Sequence, residues 1–502
     1  MDNTILDQLD RLREKGYITP AYDVRAMRAR TQERPQWAHF GPGNIFRAHI
    51  ARVHQEILNE NLYDTGIIAF AGGGSETVDR AYRPFDNLCV SVSLKAAGGM
   101  DKHLVASVAE AHALTGAGLA RAIRVFEAPT LQMATFTITE KGYAPLSYAQ
   151  DLGRPLEEAQ SLLGQVTYLL KRRLAAGGGG IALVSLDNCS QNGDQLKRAI
   201  LEIARAAGED ALCAYIESKL SFPWTMIDKI TPRPDARVQK MLEDDGLSGI
   251  APAVTPRGTH IAPFVNAEEK EYLVIEDDFP AGRPPLERAG VYFTARQTVS
   301  DVERMKVTVC LNPLHTALAV FGCLLDYDAI WKETHDPQLH RLICKIGYDE
   351  GLPVAPNPGI FSPRQFLDEV IGDRLPNPYL PDTPQRIATD TSQKVPIRFG
   401  ETIKAHMALG SAGTLVGIPL ALAGWLRYLD GTDDAGMPMA IADDPRAAEI
   451  ASRTAEDVLA DPAVFGADLK AAGLYEKTLG YLARMRAGEG AVRATLTEVL
   501  GG

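Results

Sequence analysis

Trp37-Ala38-His39-Phe40-Gly41-Pro42-Gly43-Asn44-Ile45-Phe46 is the stretch on which the fold turns. Four largely apolar residues run into a Gly-Pro-Gly turn, and Phe46, Ile50, Val53 and Ile57 then recur at helical spacing. This reads as strand, glycine turn, helix. In a dinucleotide-binding fold such a turn brings backbone N–H groups and a helix N-terminus up to a pyrophosphate. The match to G-x-G-x-x-G is partial, since Phe46 stands where the third glycine would be, and taken alone the glycines read more readily as a structural turn.

The neighbouring segments strengthen the pattern. A second strand over residues 66–71 follows at βαβ distance and runs into Gly72-Gly73-Gly74. No acid ends that strand to hold a ribose, and Glu76 lies a little beyond, so NAD and NADP both remain open. Residues 131–138 are β-rich and lead into Thr139-Glu140-Lys141-Gly142-Tyr143; residues 155–176 are helical by period and stop at a run of four glycines, Gly177 to Gly180. Residues 181–186 then form a buried strand, and Asp187-Asn188-Cys189-Ser190-Gln191-Asn192 follows at its carboxyl end, where open parallel sheets bind ligands. Turn chemistry competes for Asn188 and Asn192. A single helix over 194–220 leads to Phe222-Pro223-Trp224 and Asp228-Lys229-Ile230-Thr231-Pro232, and the acidic, proline-bearing residues 268–285 read as edge strands and loops. Beyond Arg296 helical periods dominate, broken by a proline-rich loop over 353–384. The expected fold is α/β, with a Rossmann-type domain at 1–296 and a mainly α-helical domain at 297–502.

The second half carries its own concentration of chemistry. Met305-Lys306-Val307-Thr308-Val309-Cys310-Leu311-Asn312-Pro313-Leu314-His315-Thr316 sets a lysine, an amide and an imidazole in an apolar segment, where polar groups are costly unless paired or used. Asn312 before Pro313 reads as a helix N-cap with proline at the first helical position, which puts His315 on the same turn. A capped core helix with one satisfied histidine is the competing explanation. In Asp390-Thr391-Ser392-Gln393-Lys394-Val395-Pro396-Ile397-Arg398, the two cations are either a solvated face or a local pair for an anionic ligand.

The whole chain has 502 residues, 45% apolar and 23% charged, which suits two globular domains. A net charge of −12 argues against nucleic acid or an anionic membrane as partner. The six cysteines, Cys89, Cys189, Cys213, Cys310, Cys323 and Cys344, form no C-x-x-C pair and suit free thiols in a reducing cytoplasm. Residues 1–15 are charged and amphipathic without the apolar core of a signal peptide. No apolar run is expected to reach the length of a membrane span; the region after Ala405 comes nearest and Pro419 interrupts it. The ten histidines form no ligand cluster with Asp or Glu, which disfavours a metal-dependent hydrolase or isomerase.

Taken in order, Gly41 through His49, Thr137 through Tyr143, Ser185 through Asn188, Met226 through Pro232, Lys306 through His315 and Asp390 through Lys394 resemble the mannitol dehydrogenase family of long-chain, metal-independent polyol dehydrogenases. The fructuronate reductase and mannonate oxidoreductase branch is the nearest in pattern. The resemblance implies an active site in the cleft between a Rossmann-type and a helical domain, with Lys306 as general acid/base. Asn188 and Asn312 would then steady the developing alkoxide, His315 and Asp228 would meet substrate, and Glu303 would gate proton exchange. It also assigns Gly41, Gly43, Asn44, Phe46, Arg47 and Glu140 to the cofactor. As a base the lysine has to be neutral, which apolar neighbours such as Val307, Val309 and Leu311 favour. Two departures stand out. Five residues rather than four separate Lys306 from Asn312, an insertion expected to be absorbed as a π-type bulge, and Phe46 stands where the family often has histidine.

These features predict an NAD-dependent, metal-free monomer that interconverts D-fructuronate and D-mannonate, with Lys394 and Arg398 as partners of the substrate carboxylate. The alternative is a polyol 2-dehydrogenase acting on D-mannitol or D-arabinitol, and more remotely a dinucleotide-binding protein without catalysis.

Overall fold

The computed structural model describes residues 6–7, 9–96, 98–255, 258–380 and 382–501. Part of the amphipathic N-terminal stretch (residues 1–5 and 8) and Pro381 of the proline-rich stretch lie outside the described residues. The chain divides into two compact units, Met1–Ser300 and Asp301–Gly502.

The first unit is built on five parallel strands: β1 (Trp37–Phe40), β2 (Ile67–Ala71), β3 (Val108–Ala113), β4 (Met133–Phe136) and β5 (Ala182–Ser185). Their spatial order is β3-β2-β1-β4-β5. This is the doubly wound Rossmann order, whose direction reverses between β1 and β4 and leaves a ligand crevice at their carboxyl ends. Every residue of β1 is buried because both faces of the sheet are covered. Ala38 and Phe40 join one core, where Phe40 stacks on Phe136 with centroids 5.1 Å apart and packs against Phe126; Trp37 joins the other, with Phe46, Val53 and Ile57.

Helix α1 (Ala51–Asn59) continues a π-helical stretch, Phe46–Ile50, out of the glycine turn. The helix expected at 155–176 is α2 (Leu162–Ala175), started by the Ser161 side chain accepting from the Gly164 N–H. The single helix expected over 194–220 is in fact two, α3 (Asn192–Ala206) and α4 (Asp210–Lys219), parted at Gly208, whose φ of +72° suits glycine. Residues 268–285 are not merely edge structure. Strand Tyr272–Glu276 lies central between Thr225–Asp228 and Tyr292–Thr294, with Leu273 to Ile275 buried. A further sheet pairs Cys89–Leu94 with Met100–Val105 and Phe264–Glu268.

The second unit is helical. Helix α5 (Arg296–Met305) passes through a π turn, Lys306–Cys310, to α6 (Asn312–Leu324). Contrary to the sequence expectation, this run is apolar and long enough to cross a membrane, with mean hydropathy 1.6 over 18 residues, but 78% of that window is buried inside the protein. Lys306, Asn312 and His315 hid it in the sequence. The stretch after Ala405 holds the end of α7 (Glu401–Ala408) and all of α8 (Gly417–Tyr428), and α8 is buried along its whole length. Pro419 sits in the first turn of α8, where no intrahelical N–H bond is lost. The Glu350 carboxylate accepts from the Val416, Gly417 and Ile418 N–H groups at 2.6–2.8 Å and so caps that buried end. The proline-rich segment is also more ordered than expected, holding helix Pro363–Glu369 and a π turn, Val370–Arg374.

Glu333 is a liability of this core. It is fully buried, and neither carboxyl oxygen has a hydrogen-bond partner among the described residues. A Cβ added at Gly322 would come within 2.1 Å of Oε1, so the glycine makes room for it. Burial, with the nearby Asp336 charge, pushes this carboxyl well above the usual range. The unfolded chain therefore loses this proton at lower pH than the folded protein does, and stability falls as pH rises from the unfolded value toward the folded one. Glu333→Gln should raise the Tm at about pH 8 and flatten its decline from about pH 5. A lower Tm than wild type at both pH values would show that the carboxyl is satisfied in the folded state.

Candidate active site

In the first unit, the site begins where β1 and β4 end. Gly41 has φ +91°, and a Cβ there would lie 2.2 Å from the Thr137 carbonyl oxygen, so no other residue fits this contact. Its N–H donates to Phe70 O at 3.0 Å, and its carbonyl accepts from Thr137 Oγ1 at 2.6 Å. At Gly43 an added Cβ would meet only Gly41 O, at 3.9 Å, which leaves the outer side of the turn open to a ligand.

Phe46 and Arg47 work from beneath. Phe46 is buried and stacks on the His39 ring at 3.8 Å and 12°. Burial pushes His39 down to about 3, so the ring is neutral and bonds with Thr135 and Thr137. Arg47, 1% exposed, donates to Ala262 O (2.5 Å), Asn44 Oδ1 (2.8 Å) and Gly43 O (3.4 Å). It fixes the turn through Asn44 rather than facing outward.

The loop after β4 is held by a residue that the sequence reading quoted but gave no role. The buried Asp187 carboxylate accepts from the Ile138 and Thr139 N–H groups, each at 2.9 Å, and from the Tyr143 hydroxyl at 2.6 Å. Thr139 takes φ +65°, ψ 159°, a conformation that costs a threonine about 1–3 kcal/mol and persists only where neighbours enforce it. Burial raises the Asp187 pKa, against the hydrogen bonds that lower it. Beyond this clamp, Asn188 and Glu140 are exposed. Asn192 is fully buried and spent on turn chemistry, bonding Asp187 O, Thr225 O and the Thr225 N–H.

Asp228, 3% exposed, belongs to a buried charged group. Lys229 Nζ contacts Glu271 at 2.6 Å and Glu268 O at 3.0 Å, and Arg52 pairs with Glu271. Burial, then the fields of Lys229 and Arg52, hold His49 well below its ordinary pKa, with Asp228 acting in the opposite sense.

In the second unit, the extra residue after Lys306 is absorbed as a π turn. The Leu311 N–H donates to Lys306 O, five residues back, at 3.1 Å, and Lys306 is 8% exposed. Asn312 is not the N-cap. Leu311 holds that position (φ −126°, ψ −61°), its carbonyl accepting from the His315 N–H at 3.0 Å, so Asn312 opens α6 as its first residue. Glu303 lies half-buried one turn before Lys306.

His315 Nε2 stands 3.7 Å from Asp382, too far for a hydrogen bond. Burial, and then Arg398, Arg386, Arg374 and Lys394 in that order, push its pKa down to about 3. Arg398 Nη1 donates to Thr316 Oγ1 at 2.5 Å and to Asn312 O at 3.4 Å, and burial lowers its pKa to about 10. Lys394 Nζ donates to Ile387 O at 3.1 Å and to Thr389 O; burial first, then Arg398, bring it down to about 8. These two cations are half-buried rather than a solvated face. The sequence reading missed Arg374, 4% exposed, and Arg386, which pairs with Asp382. Arg374 lies in the segment read as a loop and Arg386 just beyond it, so only the arginines themselves were a signal.

Residues 35–288 match the family model of the mannitol dehydrogenase Rossmann domain, and residues 298–481 that of the mannitol dehydrogenase C-terminal domain. The chain is 45% identical to the D-mannonate oxidoreductase of Thermotoga maritima, over 97% of this chain and 96% of that one. A crystal structure of D-sorbitol dehydrogenase in substrate-free form superposes with a TM-score of 0.83 at 26% identity, covering 96% of this chain and 97% of the other. The fold is also that of Pseudomonas fluorescens mannitol 2-dehydrogenase, solved as a ternary complex with NAD and D-mannitol, at a TM-score of 0.73, 24% identity and 97% coverage of both chains. The chain belongs to the mannitol dehydrogenase family of oxidoreductases.

Proposed function

We propose that this enzyme is an NAD-dependent, metal-free D-mannonate oxidoreductase, reducing D-fructuronate to D-mannonate and catalysing the reverse. The half-buried pair Lys394 and Arg398 beside the neutral His315 carries the choice of a sugar acid, because an acidic protein can meet a carboxylate only with a local cluster of this kind. The name of the Thermotoga maritima relative agrees with it. The open side of Gly43 at the start of a helical run fits a dinucleotide pyrophosphate, with Gly41, Asn44, Phe46 and Arg47 holding the turn and Glu140 at the next loop. The bound cofactor supplies or accepts the hydride.

On this reading Lys306 gives its proton to the carbonyl oxygen as the carbon is reduced, and takes it back in oxidation. The amides of Asn188 and Asn312 donate to that oxygen while it is negative. A neutral His315 can either donate to or accept from a substrate hydroxyl. Glu303 passes the Lys306 proton to solvent, and Asp228 bonds the polyol chain. The cytoplasm is the compartment assigned, and a monomer the working unit.

A polyol 2-dehydrogenase acting on D-mannitol or D-arabinitol is the second reading. It is favoured by the bonds that already occupy one Arg398 nitrogen, to Thr316 and Asn312.

The two readings separate when NADH oxidation is followed with D-fructuronate and D-fructose in parallel. Turnover of fructuronate is expected, and Lys306→Ala should lower kcat by about 10²–10⁴-fold. Preference for fructose would make the polyol reading correct, and near-normal turnover by the variant would remove Lys306 from the chemistry.

The pKa of Lys394 gives a second test. The amine is charged below about 8 and neutral above it, so its attraction for a carboxylate disappears as pH rises through that value. The ratio of kcat/KM for fructuronate to that for fructose should therefore fall above about pH 8, since Lys306 acts on both and cancels. Lys394→Met should give a low ratio at all pH values. A ratio independent of pH in the wild type would place the carboxylate elsewhere.

A further inference from the structure

The π turn that carries Lys306 accepts a hydrogen bond from a hydroxyl of α7. Thr308 lies within the π turn, and Pro313, five positions on, has no N–H to offer its carbonyl. The Thr308 hydroxyl is turned back to Arg304 O at 2.7 Å. The Thr308 carbonyl instead accepts from Thr402 Oγ1 at 3.0 Å, and Thr402 is 3% exposed.

Thr402 stands four residues after Arg398 on one continuous helical run, formed by the π turn Pro396–Gly400 and α7. Positions four apart share a helix face. That face grips the lysine-bearing helix at its irregularity and just beyond: Thr402 holds the π turn at Thr308, and Arg398 holds the first turn of α6 at Asn312 O and Thr316 Oγ1. The gripping run is itself anchored, since a Cβ at Gly400 would come within 2.2 Å of Phe465 O.

We propose that Thr402 is a positioning residue of the active site, whose hydroxyl fixes the five-residue turn at Thr308 and thereby the place of Lys306 relative to Asn312 and His315. This rests on the reading of Lys306 as the acid/base. The extra residue between Lys306 and Asn312 creates the need for it, because an unbulged helix ending in Asn-Pro would offer no five-residue register to be stabilised from outside.

The test uses the full chain, with whichever of D-fructuronate and D-fructose is turned over. Thr402→Val keeps the shape and removes the donor. It should lower kcat about tenfold, displace the kcat pH limb by about half a unit, and leave the KM for NADH unchanged. Thr402→Ser, which keeps the hydroxyl, should return both to near wild type. A purely structural threonine would lower the Tm of Thr402→Val without moving the pH limb, and wild-type kcat and pH profile in that variant would overturn the proposal. If Thr402→Val is not recovered folded, Thr402→Cys, a weaker donor of similar size, is judged by the same criterion. Activity surviving Lys306→Ala would instead overturn the reading beneath the proposal, whatever Thr402→Val does, and so would no turnover of either substrate.

Discussion

A helix buried on all sides that must still present polar groups is the constraint on which the second unit depends. The apolar residues of α6 are taken up by the core, and Gly424 lets α8 approach so closely that an added Cβ would meet the Phe321 ring at 2.6 Å. Asn312 and His315 can lie in such a helix only at its first turn, where the backbone is not yet closed on itself. The five-residue step from Lys306 to Leu311 puts that turn there. It delivers the Leu311 carbonyl to the His315 N–H, relieves Asn312 of capping, and keeps Lys306 buried one turn earlier.

The first unit solves a comparable problem with a carboxylate. Strands β4 and β5 end side by side, and the chain must leave β4 without closing the crevice. Asp187 does this by collecting two backbone N–H groups and a phenol. The three bonds offset part of the cost of burying the carboxyl group and of holding Thr139 left-handed, each of which would be unfavourable alone. Gly41 on the β1 side makes the opposite contribution, a missing side chain that lets the two loops touch. The crevice is thus bordered by one position that needs no Cβ and one that needs a full carboxylate.

Much of this was legible in the sequence, because the strongest signals were local. A strand, a Gly-Pro-Gly turn and a helical period, joined by the strands that follow at βαβ spacing, point to the Rossmann half, and the count of residues between Lys306 and Asn312 pointed to the bulge. What stayed hidden depended on distant partners. Cys89–Leu94 mixes valine with serine and lies in a sheet completed by Phe264–Glu268, far along the chain. Asn-Pro fits an N-cap and a first helical turn equally well, and only the upstream π turn decides between them. The roles of Asp187 and Thr402 exist only because another loop or helix brings a backbone group to them. Arg374 and Arg386 sit in a segment whose prolines disguise helix and π turn alike.

The charges around His315 oppose one another's neighbours. Burial lowers the pKa of Arg386, Lys394 and Arg398, and all three, with Arg374, bear on His315. Like charges brought together in a half-buried setting are unfavourable unless something negative meets them. Asp382 answers Arg386 by a direct pair, while Asp390 and Asp444 act on Lys394 through their fields alone, since the amine's own bonds go to carbonyl oxygens. Asp444 is moreover engaged by Ser392. Among the described residues, no carboxylate bonds directly to Lys394 or Arg398. On the proposed reading, a carboxylate arriving there would gain more than its own hydrogen bonds, because it would also offset part of the repulsion among these cations. A polyol hydroxyl can accept hydrogen bonds from the same groups but brings no charge. On the proposed reading, a preference for an acid over an alcohol would be set by this charge as much as by the geometry of the contact.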